Sequence, residues 1–181
     1  QSNTYFLEKS LNWRGILIEG IPELYQQCLE ERKNARVFHC ALVEICHHLS
    51  TVSMHYANLM SLVDGALKTP SAQENHVQAG LEIQELDHTY SVRVPARTLE
   101  SILDEVPHLP KIDFLSLDVE GYELQVLKGL NLTKYRPIYI LVEAKFFDEV
   151  DQFLTHHHYK MLEQMTHHDY FYIDALSAVH K

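Results

Sequence analysis

Short apolar runs at residues 15–19, 36–43, 112–118 and 138–143 alternate with segments of helical periodicity, and this alternation limits the fold more than any other feature of the chain. A strand that is apolar throughout is buried on both faces, which requires a parallel sheet with helices on each side. The segment 4–11 places Tyr5, Leu7, Ser10 and Leu11 at near-helical spacing, with Asn3 as a cap. Pro22 suits the first turn of a helix running to Arg32, since its fixed φ is helical and its missing donor would be unpaired there. Further helices are expected at 98–105, capped by Thr98, at 122–130 and at 147–157. Strands at 159–165 and 170–174, joined by Thr166-His167-His168-Asp169, close the chain as an antiparallel hairpin.

Residues 44–90 carry only weak alternation, around 53–59 and 81–86, with a polar loop expected at 68–80. This stretch reads as an excursion or substrate-side insertion. With 181 residues and 46% apolar content, one domain covering 1–181 is expected.

Charge narrows the partners. Fifteen basic against twenty-five acidic residues give a net charge of −10, the wrong sign for a phosphate backbone, so nucleic acid is not expected as a partner. The longest apolar stretch, 138–142, is too short to span a bilayer and no charged-then-apolar leader opens the chain, so a cytoplasmic protein is expected. Cys28, Cys40 and Cys46 are an odd set without C-x-x-C spacing, which reads as buried free thiols. Among 13 histidines the run His156-His157-His158 invites a metal reading. Consecutive helical side chains point about 100° apart, so the three rings cannot share one centre.

Three of the expected strands end in acids, namely Glu19, Asp118 and Glu143. In open α/β sheets ligands sit beyond the carboxyl ends of strands, where a carboxylate can accept from both hydroxyls of a ribose. Glu19 is the expected nucleoside contact. Asp118 and Glu120 flank one residue at a strand-to-helix turn, and Gly121 permits close backbone approach there. These acids can orient a substrate, take its proton, or hold a hard divalent ion. The expected catalytic set is Asp118, Glu120 and Glu143; a divalent metal is chemically reasonable, and the metal-free reading is preferred. Glu123 is read as an ordinary first-turn acid. Trp13, Tyr170, Phe171 and Tyr172 are expected in the core.

Two blocks resemble the FkbM-type methyltransferases. One is Ser2-Asn3-Thr4, Phe6-Leu7-Glu8-Lys9, Trp13-Arg14-Gly15-Ile16-Leu17-Ile18-Glu19 and Pro22-Glu23-Leu24-Tyr25. The other is Arg97-Thr98-Leu99, Ile112-Asp113-Phe114-Leu115-Ser116-Leu117-Asp118-Val119-Glu120-Gly121-Tyr122-Glu123 and Val126-Leu127-Lys128-Gly129. The resemblance implies a Rossmann-like, doubly wound, mostly parallel sheet of strand order 3-2-1-4-5-7-6. Its first strand and Gly-rich turn are expected upstream of the residues given. It also implies S-adenosylmethionine as cofactor, held by Asn3, Thr4, Glu19, Gly20, Ile21, Ala41, Leu42 and Asp118. The acceptor it implies is a small molecule or glycan, methylated on a hydroxyl.

Two alternatives stay open. Gly20-Ile21 stand where the family usually has Pro-Asn, which motivates a degenerate methyltransferase fold acting as a binding module. An acid after the second strand also suits a nicotinamide-dependent oxidoreductase.

Overall fold

In the computed structural model, which describes residues 2–109 and 111–177, the apolar runs form strands and the chain divides into two units. The first comprises Gln1–Leu42 and His47–Arg97, the second Val43–Cys46 and Thr98–Lys181. Both mix helices with strands, so the chain is an α/β protein.

The first unit opens with α1 (Tyr5–Leu11), β1 (Gly15–Glu19), α2 (Pro22–Glu31) and β2 (Ala35–His39). Pro22 occupies the first turn of α2, as its geometry dictates. β1 and β2 pair in parallel from Gly15–Ala35 to Glu19–His39, so their carboxyl ends coincide. α1 is tied down by charge rather than by apolar burial. Glu8 and Arg32 are 4% and 5% exposed, and Arg32 Nε donates to Glu8 Oε2 at 2.5 Å. The other guanidinium nitrogens reach Ser2 Oγ at 3.1 Å and Thr4 Oγ1 at 3.0 Å, and the Asn34 amide donates to Glu8 Oε1. Burial opposes the Glu8 charge, but Arg32 and the Asn34 amide outweigh it and hold the carboxyl below its ordinary pKa. Thr4 rather than Asn3 occupies the cap position of α1, and it makes no side-chain cap bond; its hydroxyl serves Arg32 instead.

The rest of this unit is a second sheet of order β3-β6-β4-β5, built from β3 (Ala41–Leu42), β4 (Thr51–His55), β5 (Leu62–Val63) and β6 (Ser91–Arg97). β3 pairs with β6 in parallel, whereas β4 lies antiparallel to both β5 and β6. Residues 68–80, expected as a polar loop, are instead mostly helix: α3 spans Pro70–Ile83. Thr69 caps it by accepting from the Ala72 amide, and Pro70 starts its first turn. Its apolar period is weak because polar side chains fasten it. His76 meets the Met60 carbonyl at 3.0 Å, and Gln84, the residue after the helix, bonds the Ala57 carbonyl and the Leu59 amide. Gly80 lies so close to Ala57 that a Cβ would crowd it.

The second unit contains α4 (Leu99–Asp104), β7 (Phe114–Leu117), α5 (Glu123–Lys128), β8 (Tyr139–Glu143), α6 (Phe147–His156), β9 (Tyr159–Gln164) and β10 (Asp169–Asp174). Thr98 caps α4 by accepting from the Ser101 amide. The sheet order is β7-β8-β10-β9, with β7 and β8 parallel and β10 antiparallel to both its neighbours. That is the 4-5-7-6 half of the expected order, closed by the expected hairpin. Among the described residues the strands form three sheets, two of them mixed, rather than one mostly parallel sheet. The antiparallel pairs come from the hairpin and from β4, whose segment was not legible as a sheet strand.

Tyr172 is fully buried and donates to Asp151, while Tyr170 is buried and Phe171 stacks on Tyr139. Trp13 departs from its core expectation at 39% exposed. Of the thiols only Cys40 is buried; Cys28 is half-buried and Cys46 exposed.

Removing Arg32 strands a buried carboxylate. Arg32→Ala is expected to cost about 3–5 kcal/mol in urea denaturation, and a loss near zero would show that the Glu8–Arg32 pair does not anchor α1.

Candidate active site

β7 ends at Leu117, so Asp118 is the first residue beyond its carboxyl end, and the chain must then turn sharply into α5. Glu120 takes φ +57° and Gly121 φ +105°, both in the left-handed region. Glycine accepts this freely, whereas a glutamate there costs roughly 1–2 kcal/mol. The turn is held by Glu123, whose Oε1 accepts from the Gly121 amide at 2.8 Å and the Val119 amide at 3.4 Å. Glu123 is 1% exposed and its Oε2 is buried without a hydrogen-bond partner. Burial pushes its pKa up, although the two amides pull the other way. Its role as the clasp of the turn goes beyond that of a first-turn acid.

The turn brings carboxylates together. One oxygen from each of Asp118, Glu120 and Glu143 lies within 4.8 Å of the others. Glu143 arrives because β8 runs parallel to β7 and pairs Leu117 with Val142, so the strands end side by side. Asp118 is open to solvent, yet crowding by surrounding atoms, then the charges of Glu143, Glu120, Glu123 and Asp169, push its pKa up to about 7. Glu143 is raised by burial, Glu120 and Asp169, with Lys145 and His168 opposing. Lys145 Nζ stands 2.9 Å from Glu120 Oε2. The Ala144 amide donates to the His168 carbonyl, which holds the hairpin turn beside the end of β8. Such a cluster can accept a proton near neutrality, and its three oxygens are also a donor set for a hard cation.

The first unit holds a different corner. Glu19 Oε1 accepts from the Ile21 amide at 2.7 Å, and the Gly20 amide also bonds the carboxylate, whose two oxygens together carry more lone pairs than these two amides use. Burial raises the Glu19 pKa against the Ile21 and Gly20 amides and His39. His39 Nε2 lies 2.9 Å from the Gly20 carbonyl and its ring stacks on Tyr25 at 4.9 Å. A Cβ on Gly20 would overlap the Met54 sulfur, so glycine there serves packing. Ile21 is fully buried; Ala41 and Leu42 follow β2 and pair with β6. The structure therefore brings Glu19, Gly20 and Ile21 together at the carboxyl end of β1, with Ala41 and Leu42 just beyond β2. Thr4 lies elsewhere in the unit, bonded to Arg32, whose carbonyl accepts from Ala35 at the amino end of β2; Asn3 precedes it. Asp118 belongs to the second unit.

Sequence reasoning passed over Lys145, placed Asp169 only in the hairpin turn, and read Glu123 only as a first-turn acid. A faint signal existed for Lys145, which stands two residues after Glu143.

These features define an α/β protein with an acidic cluster beyond the ends of two parallel strands. The family model described as the methyltransferase FkbM domain matches residues 1–172, and the chain belongs to that family. It is similar to a curated protein, Methyltransferase 1 of Beauveria bassiana (strain ARSEF 2860), at 39% identity over 61 residues. That match covers 34% of this chain and 23% of the relative. No solved structure matches the chain significantly.

Two predictions follow from the turn and the cluster. Glu123→Ala, which strands two amides and frees a strained turn, is expected to cost about 1–3 kcal/mol, with Glu123→Gln largely restoring stability because Oε1 remains an acceptor. For Asp118 the folded pKa exceeds the unfolded one, so ionisation weakens the fold as pH rises from about 4 to about 7. Asp118→Asn is thus expected to match the wild type in urea at pH 4 and exceed it at pH 8, by about 1 kcal/mol because solvent screens the exposed carboxyl.

Proposed function

We propose that the protein transfers a methyl group from S-adenosylmethionine to a hydroxyl of a sugar or natural product, with Asp118 taking the hydroxyl proton. The observation that carries this reading is the Asp118 carboxyl, raised to about 7 beside Glu143 and Glu120 at the end of a parallel strand. Family membership supports methyl transfer as the reaction, and the family typically uses this cofactor. We propose further that both units form one methyltransferase domain, since the family match runs through both.

When bound, S-adenosylmethionine supplies an electrophilic methyl group. The Glu19 carboxylate accepts from ribose hydroxyls, and the Ile21 and Gly20 amides keep it oriented. An alkyl hydroxyl is a weak nucleophile until its proton has somewhere to go. Asp118 is poised between its two protonation states at neutral pH, so it accepts that proton and releases it to water afterwards. Glu143 and Glu120 keep Asp118 basic, and Lys145 offsets part of their charge. Much of the remaining acceleration comes from alignment of the reacting atoms. Asp118, Glu120 and Glu143 are the residues that would hold a divalent ion. The proposal runs without one, because Lys145 already sets a cation at Glu120 and the mechanism needs Asp118 free to take a proton.

The test is calorimetric titration with S-adenosylhomocysteine together with a turnover assay on sugar acceptors. Wild type is expected to bind, Glu19→Ala to bind at least about tenfold more weakly, and Asp118→Ala to bind normally with turnover reduced about 10²–10⁴-fold. Retained turnover in Asp118→Ala removes it as the proton acceptor. A folded protein that binds no S-adenosylhomocysteine is a binding module instead.

A further inference from the structure

The carboxylates at the ends of β7 and β8 form a donor set that the chain leaves largely unspent. One oxygen from each of Asp118, Glu120 and Glu143 lies within 4.8 Å of the others. Bonds of about 2.0–2.6 Å let one hard cation touch all three. Among the described residues, neither Asp118 nor Glu143 has a side-chain hydrogen bond or ion pair, and Glu120 is met by Lys145 at 2.9 Å.

A second group points to the same ligand. Glu123 is 1% exposed, and its Oε2 is buried without a hydrogen-bond partner. Its Oε1 is held by the Val119 and Gly121 amides, on either side of Glu120, so the idle oxygen belongs to the cluster. A buried acceptor without a donor is costly, and water carried by a cation supplies that donor.

Charge and donor chemistry narrow the ion. Asp169 stands opposite Glu143 across β8 and β10, so Asp118, Glu120, Glu123, Glu143 and Asp169 together face the ammonium of Lys145. The donors are all oxygens, which suit Mg²⁺ and Mn²⁺ rather than softer metals. Asp118 is open to solvent, which leaves room for the waters that Mg²⁺ retains.

We propose that Asp118, Glu120 and Glu143 bind a divalent cation of the Mg²⁺ class and that its arrival stops methyl transfer. The ion displaces Lys145 from Glu120 and occupies the lone pairs with which Asp118 accepts the hydroxyl proton. The binding stands on the carboxylate geometry; the inhibition rests on Asp118 as the proton acceptor. The experiment titrates Mn²⁺ into the protein, reads free Mn²⁺ by electron paramagnetic resonance, and adds Mg²⁺ as competitor. A saturable site that Mg²⁺ empties is expected. Glu143→Gln is expected to weaken it at least about tenfold, and Glu123→Gln about tenfold. Lys145→Met, which removes the competing ammonium, is expected to tighten it at least about threefold. A gain of affinity cannot come from a damaged fold, so this variant keeps the test decisive. Absence of a saturable site, or a variant whose affinity stays at the wild-type value, overturns the proposal. Turnover on sugar acceptors is expected to fall along the Mg²⁺ occupancy curve. Turnover that is unchanged overturns the inhibition, and turnover that rises with occupancy also removes Asp118 as the free base. A cluster that binds Mn²⁺ in a protein that binds no S-adenosylhomocysteine sinks the methyl-transfer reading and leaves the cation site standing.

Discussion

The carboxylate of Glu123 does for the β7–α5 turn what a capping side chain does for an ordinary helix, and the acid cluster depends on it. Accepting from the Val119 and Gly121 amides lets the chain reverse within three residues, with Glu120 in a conformation that glutamate alone would avoid. Without that bond the preference of Glu120 for right-handed backbone would swing its side chain away from Asp118 and Glu143. The arrangement concentrates negative charge in a small volume, and burial followed by that repulsion raises the Asp118 pKa to about 7. A cluster able to take up a proton near neutrality is thus a site of electrostatic strain.

Buried charge is used differently in the first unit. Arg32 satisfies Glu8, Ser2 and Thr4 with separate nitrogens, so burial costs are met by a full set of partners. Glu123 has half of its acceptors idle and Glu8 has none, and their pKa values move in opposite directions as a result. The contrast separates a carboxylate that fastens two helices from one that shapes the β7–α5 turn. No helix among the described residues is long and apolar enough to cross a membrane.

Much of this was readable in the chain. Gly15–Glu19, Phe114–Leu117 and Tyr139–Glu143 announce themselves as short apolar runs between helical segments, although none of the three is buried along its whole length, and Thr98 and Pro22 mark helix starts through local chemistry alone. The acids at strand ends were legible for the same reason. What stayed hidden depends on partners remote in sequence. Thr4 loses its capping role to Arg32, 28 residues away. β6 alternates Val92, Val94 and Ala96, but Pro95 breaks the pattern and its pairing with β4 is set by tertiary contact. The raised pKa of Asp118 comes from burial first and then from Glu143, Glu120, Glu123 and Asp169, and no local motif connects Glu143 or Asp169 to it. Trp13 shows the converse, a residue whose hydrophobicity argued for burial and whose place after the left-handed Asn12 leaves it outside.

The fastening of α3 bears on how this helix behaves in time. A helix whose one buried residue is Gly80, and whose ties include a histidine-to-carbonyl bond and the two bonds of Gln84, buries little apolar surface that water could not replace. Its opening draws on few hydrophobic contacts, so it belongs to the low end of the local-stability spectrum while the strands beneath it do not. Amide hydrogens of α3 are then set to exchange with solvent ahead of those in the β4–β6 ladder, so this helix is the part of the first unit most easily released without unfolding the sheet.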